Sequence, residues 1–205
     1  RAANEQWVKI LVAEGAYTRG DDATPCDDLD INAVVCIINR RVQMIGGYTS
    51  DDWSTSDPQA NPTIIDGQDV RRGVMMLNVS EPDNTLEMTG FTIRNGLGTG
   101  ISSRSGFDAI SGFGGGMFVD AAGATLRTLR FENNQAVGYD QGSGQAGAGV
   151  GGGLAIRGAI GTVVMDEISF IDNRVQGGTG GECGGYAIGG GLFTYGATIR
   201  ANNIY

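Results

Sequence analysis

Three segments of this chain align without gaps: MTGFTIRN (88–95), LRTLRFEN (126–133) and MDEISFID (165–172). Each has apolar residues at its first, fourth and sixth positions and Asn or Asp at its eighth. The triplets are Met88, Phe91 and Ile93; Leu126, Leu129 and Phe131; and Met165, Ile168 and Phe170. Successive offsets are 38 and 39 residues. A second marker recurs within one residue of the same interval, at offsets of 37 and 38: GGGMF from Gly114, GGGLA from Gly151 and GGGLF from Gly189. Two independent markers on one spacing establish an internal repeat, which restricts the chain to architectures made by stacking similar units.

The unit itself reads as strand. Its apolar runs are short and end at Asn, Asp or Gly, and FTI, LRF and ISF alternate between a buried and a wet face. No segment carries a sustained helical period. Short strands at a fixed interval predict an all-β solenoid in which strands of successive coils pair in parallel and their inward residues form apolar ladders. The paired amides Asn133–Asn134 and Asn202–Asn203 read as corners, because Asn tolerates the left-handed backbone of a sharp turn and stacked amides bond along a ladder.

Composition narrows the chemistry. The net charge of −9 and the single lysine, Lys9, speak against nucleic acid or an anionic membrane as partner. Histidine is missing altogether, which excludes Ser-His-Asp and Cys-His catalysis and every His-ligated metal. No apolar run is long enough to cross a bilayer. The 36 glycines are more than twice the usual share and show no collagen period, so the fold must account for them.

Many of those glycines fall between the strand marker and the next GGG, in GLGTGISSRSGFDAISGFGGG (96–116), VGYDQGSGQAGAGVGGG (137–153) and GGTGGECGGYAIGGG (177–191). The repeat therefore stacks three glycine-rich loops on one side of the solenoid, and this flank is the first place to seek contacts with a partner or ligand. The second loop contains a formal G-x-G-x-x-G at Gly142, Gly144 and Gly147. A dinucleotide site requires a helix after it, and GLAIRGAIGTVV offers no helix onset. The motif is a chance match within a glycine-rich series.

The GGG-φ marker followed by FENN or FIDN resembles the repeats of polymorphic outer-membrane proteins. More broadly the chain looks like a pectin-lyase-like right-handed parallel β-helix. WVKILVAEGAY (7–17) resembles an opening coil of that class, and IGGYTSDDW and NPTIIDGQ resemble the next coils. The resemblance implies one β-helix domain over 1–205, with irregular coils over 1–85 and regular repeats over 86–205. It implies little about activity, since the scaffold serves lyases, hydrolases, epimerases and adhesins alike. Family members carry a helix-forming stretch before the first strand and a cap after the last coil. Neither is legible here, so both ends read as cut, or as covered by another copy in a head-to-tail filament.

Candidate sites are few. Cys26 and Cys36 bracket an acidic loop; they close it as a disulfide or stand as two buried thiols in strands, with Cys183 left over. Of the acidic stretches Asp21–Asp22, Asp27–Asp28–Asp30 and Asp51–Asp52, only Asp27, Asp28 and Asp30 are calcium candidates, set against a reading of all three as solvated acidic loops. Asn78 heads an N-V-S glycosylation acceptor, or an unmodified turn.

The outward residues Arg127, Arg130 and Glu132 on one coil, and Asp166, Glu167 and Ser169 on the next, make opposite-charge ladders. If the scaffold carries carbohydrate chemistry, as the resemblance allows, Arg130, Asp166 and Arg174 are the residues to supply it. The expectation is a secreted or cell-surface structural or adhesive β-helix that needs no cofactor, associates end to end and meets a carbohydrate or host-surface ligand through its loops. The rival is a polysaccharide lyase or glycoside hydrolase on the same scaffold.

Overall fold

A strand residue points to the opposite face from its neighbour, so inward apolar positions should recur every second residue. The interval of three between Leu126 and Leu129 breaks that rule, and the structure shows why. The computed structural model describes residues 7–19, 32–77, 85–100, 111–159, 161–180 and 182–205. Within them the chain is all-β, with no helix, and its parallel sheets stack as a β-solenoid of about 4 turns.

Four sheets run along the stack. The longest takes β1 (Val8–Ala13), β4 (Val42–Tyr48), β7 (Thr85–Arg94), β11 (Gly123–Glu132), β15 (Thr162–Ile171) and β19 (Thr198–Ile204) in that order. To it are added β2 (Gly15–Tyr17) and β5 (Thr63–Asp66). A five-stranded sheet takes β3 (Ala33–Ile38), β6 (Arg72–Leu77), β10 (Met117–Asp120), β14 (Leu154–Arg157) and β18 (Leu192–Tyr195). Two small sheets complete the upper coils. The outgoing one is β8 (Leu97–Thr99), β12 (Gln135–Val137) and β16 (Arg174–Gln176); the returning one is β9 (Gly112–Phe113), β13 (Gly149–Val150) and β17 (Ala187–Ile188).

The register is the one the repeat predicts. Leu126 pairs with Met88 and Met165, Leu129 with Phe91 and Ile168, and Phe131 with Ile93 and Phe170. Met117, Leu154 and Leu192, each just after a GGG marker, are likewise partners. These columns fill one continuous core between the long and five-stranded sheets, with the Phe131 and Phe170 rings stacked 5.2 Å apart.

Between the two inward residues of each long strand sits one residue in the left-handed region: Gly90, Thr128 and Glu167. The pairing passes from Arg127–Asp166 directly to Leu129–Ile168, so the extra residue shifts the phase by one and returns the next side chain to the core. The corner after the strand is also left-handed, at Asn95, Asn133 and Asp172.

The residue after that corner carries the amide ladder. Asn134, fully buried, accepts from Gly96 N–H at 2.8 Å and donates to Ile93 O at 2.9 Å and to Asn173 Oδ1 at 2.9 Å. Asn173 repeats the bond to Ile93 O one coil up, donating to Phe131 O at 2.9 Å. The pair Asn202–Asn203 does something else. Asp166 pairs with Asn202 inside the long sheet, so Asn203 occupies the Thr128–Glu167 column and not the corner. The last coil is two residues shorter between its five-stranded and long-sheet segments: Arg157 pairs with Tyr195, 38 residues on, but Thr162 with Thr198, 36 on. Asn202 lies only 30 residues after Asp172, short of the repeat interval, so the amides fall mid-strand with or without that deletion.

Replacing Asn134 by Ala strands the Gly96 N–H and Ile93 carbonyl in the interior, for an expected loss of about 3 kcal/mol in denaturant unfolding. Asn134→Asp should cost a similar amount, since a carboxylate cannot donate to Ile93 O. Retention of native stability by the Asp variant would contradict the ladder.

Candidate functional site

The glycine-rich flank is the largest departure from a plain coil. After Asn134 the chain leaves along β12 and returns along β13. Gly147 N–H closes the two arms by donating to Tyr139 O at 3.0 Å. Arms this close leave no room for side chains. A Cβ on Gly138 would lie 1.9 Å from Gly147 O, and one on Gly149 would lie 2.5 Å from Ala136 O. The outgoing and returning sheets therefore pack backbone against backbone, which only glycine permits.

The tiers are also joined vertically. Gly138 N–H donates to Gln176 O (2.9 Å), Gln141 N–H to Thr179 O (2.7 Å), Ala146 N–H to Cys183 O (3.1 Å) and Gly149 N–H to Tyr186 O (2.8 Å). Upward from the second loop, Gly178 N–H reaches Gly147 O at 2.9 Å. At the tip Asp140 Oδ1 accepts from Thr179 N–H at 2.6 Å. The Thr179 backbone and hydroxyl together hold the Asp140 carboxyl below its ordinary value. This tie is complete above the usual carboxylate range and is lost as pH falls through the lowered value. Of the loop over 96–116, residues 101–110 lie outside the described residues. Its ends join the same stack, with Gly100 N–H donating to Val137 O and Gly112 N–H to Ala148 O.

The flank folds back against the solenoid. Phe113, Ala148 and Val150 are buried over Met75, Leu77, Phe118 and Ala155, which point away from the main core. The Phe113 and Phe118 rings stack 5.2 Å apart. Over both rings lies the Arg157 guanidinium, held by Asp120 through bonds of 2.9 and 2.6 Å. The middle strands β6, β10 and β14 are thus buried on both faces. The unbroken runs VMML, MFV and LAI carry that signal, because a doubly buried strand need not alternate. MFV and LAI follow the GGG repeat marker and VMML carries no marker, and the alternation of the long strands gave no sign of this second core.

The formal nucleotide motif dissolves into this architecture: Gly142, Gly144 and Gly147 lie in the turn between β12 and β13, and the chain beyond them continues as strand. Arg130 and Asp166 stand on the long sheet, on opposite sides of the Thr128–Glu167 column. Arg174 lies on β16, beyond the Asp172–Asn173 corner. Arg127 does stand beside Asp166 in register. Asp166 accepts from Asn202 Nδ2 at 3.0 Å and from Asn203 Nδ2 at 3.2 Å, and Arg130 pairs along its own strand with Glu132 at 3.1 Å.

Among the described residues, ion pairs that join coils lie elsewhere, at Asp120–Arg157 (2.6 Å) and Asp66–Arg94 (2.8 Å). Desolvation raises the Asp66 carboxyl, but Gln68 N–H, Arg94 and Asn95 outweigh it and leave the pKa below the ordinary value. A shallow groove of about 230 Å³ on the long sheet is lined by Arg130, Glu167, Thr92, Thr128, Ser169 and Gln59. Glu167, expected only as an outward member of the charge ladder, lines this groove and accepts from the Thr128 hydroxyl at 2.9 Å.

Cys26, the calcium candidates Asp27, Asp28 and Asp30, and the acceptor Asn78 lie outside the described residues. Cys36 lies on β3 with its sulfur 3.8 Å from Arg19 Nη1, and Cys183 is exposed and free. Asp52 is held by Ser54 within its own exposed turn. Among the described residues no group of three or more His, Cys, Asp or Glu is placed to hold a metal ion, and no helix is long and apolar enough to cross a membrane. No protein family, curated protein or solved structure matches the chain.

Backbone contact across the flank has a direct consequence. Gly138→Ala and Gly185→Ala, whose Cβ atoms would fall 1.9 and 1.8 Å from Gly147 O, should each cost about 3 kcal/mol and make the flank sensitive to limited proteolysis. A Cβ on Gly142 meets nothing within 4 Å. Gly142→Ala should therefore stay within about 0.5 kcal/mol of the native stability.

Proposed function

We propose that the chain is a secreted or cell-surface structural or adhesive β-helix of the right-handed, pectin-lyase-like kind, with repeats akin to those of polymorphic outer-membrane proteins. The observation that carries this reading is the flank. Its glycines are spent on contact between backbones, tier on tier, and its apolar residues on a second core. Such a ridge is stiff along the solenoid axis and displays repeated polar tips, including Asp140, Thr179 and Glu182, at regular height. It suits lateral contact with a carbohydrate or a host-surface partner.

The rival reading, a polysaccharide lyase or hydrolase, is favoured by the groove that brings Arg130 and Glu167 together on the long sheet. Incubation with acidic polysaccharides separates the two. The structural reading expects no unsaturated products or new reducing ends beyond a boiled control. Turnover that Glu167→Gln or Arg130→Gln abolishes would overturn it.

End-to-end association belongs to the same proposal. Ile188 is 41% exposed where its register partner Val150 is 1%, and Ile204 is 38% exposed where Ile168 is fully buried. The outer edge of β16 to β19 thus repeats inward-type residues with unpaired strand groups beside them. The 205-residue chain should sediment as concentration-dependent oligomers, and Ile204→Lys should return it to monomer. A monomer at every concentration would remove the association from the proposal.

A further inference from the structure

The returning flank sheet begins abruptly. Its order is β17, β13, β9, and the coil beneath β9 has no flank, because the chain there turns at Gly67–Val70 and enters β6 at once. One coil higher, the downward-facing Val150 O accepts from Gly114 N–H at 2.9 Å. Higher still, Ile188 O accepts from Gly151 N–H at 2.9 Å and Gly189 O from Gly152 N–H at 3.1 Å. Phe113 and Gly114 are the register equivalents of these acceptors, and among the described residues no backbone N–H reaches their carbonyls. A buried carbonyl without a donor is costly.

Arg72 supplies the donors. Its Nε donates to Gly114 O at 2.8 Å and Phe113 O at 3.0 Å, and its Nη2 to Phe113 O at 2.7 Å. The guanidinium faces the Phe118 ring at 5.7 Å and is buried. Burial lowers its pKa to about 10, so it remains charged at neutral pH.

The register explains why an arginine fits here. Val74 pairs with Met117, so RRGVM aligns with GGGMF and Arg72 stands where Gly115 and Gly152 stand above. In those coils a Cβ would meet the coil's own flank, 2.2 Å from Gln135 O at Gly115 and 2.2 Å from Arg174 O at Gly152. A coil with no flank leaves that space open, and the Arg72 side chain rises through it to the tier above.

We infer that Arg72 is a side-chain cap that replaces the missing strand beneath β9 and so sets the coil at which the glycine-rich flank can begin. The cap acts on the flank and not on the long sheet, and this separates it from a general core residue. Hydrogen exchange read by mass spectrometry tests it on the intact chain. In Arg72→Gly, which restores the repeat's own glycine, amides over 111–119 should exchange at least about tenfold faster than in the native chain. Those over 123–132 should stay within about twofold. Arg72→Lys, with one ammonium for two carbonyls, should fall between. Unchanged exchange over 111–119 in both variants would overturn the inference, as would equal acceleration of the two segments. If Arg72→Gly does not fold, Arg72→Lys is judged by the same two outcomes.

Discussion

Everything in this solenoid hangs on single left-handed residues placed at fixed columns. One column opens the five-stranded sheet (Gly114, Gly151, Gly189), one closes it (Ala121, Gly158, Gly196), one breaks the long strand (Gly90, Thr128, Glu167, Asn203), and one turns the corner after it (Asn95, Asn133, Asp172). All have φ between 49° and 78°. A left-handed residue reverses the local curl of an extended chain without using extra length, so each coil can change direction and still present its strand in register. Most columns use Gly, Asn or Asp, which adopt this conformation at low cost. Ala121, Thr128 and Glu167 do not, and each stores on the order of 1–2 kcal/mol. Their conformations persist because the coils above and below hold them in register.

The second constraint is that the five-stranded sheet is apolar on both faces. One face closes the main core with the long sheet. The other, carrying Met75, Leu77, Phe118 and Ala155, needs a cover, and the flank provides it through Phe113, Ala148 and Val150. The glycine abundance follows from this. A cover made of two strands in backbone contact is thin and must approach without side chains. Arg157 and Arg72 then border the second core with their guanidinium faces, and each satisfies carbonyl or carboxylate oxygens that burial would otherwise penalise.

Much of the stack was legible because a repeat converts sequence alignment into spatial register. Residues at the same phase of successive units become partners, so Leu126 beside Met88 and Met165, and Met117 beside Leu154, could be read in advance. The same logic failed where the phase slipped. Asn202–Asn203 looked like Asn133–Asn134, but Asn202 follows the Asp172 corner by only 30 residues, so the pair lies within the strand. The loops were legible as a stacked series but not as a lid, because glycine-rich segments have no periodicity to reveal which face they cover. Arg130, Asp166 and Arg174 illustrate the limit for sites. Linear spacing does not say on which side of a corner a residue emerges, and Arg174 emerges on another sheet.

The sequence by itself determined the repeat, the strand character, the parallel pairing and the identity of the inward columns, since these depend only on short-range alternation and on the interval between units. Only the tertiary structure decided what lies outside those columns. The second core, the backbone contact between the flank arms and the reach of Arg72 into the tier above all involve groups brought together by stacking. Their energies come from close approach and burial, which no local pattern of residues encodes.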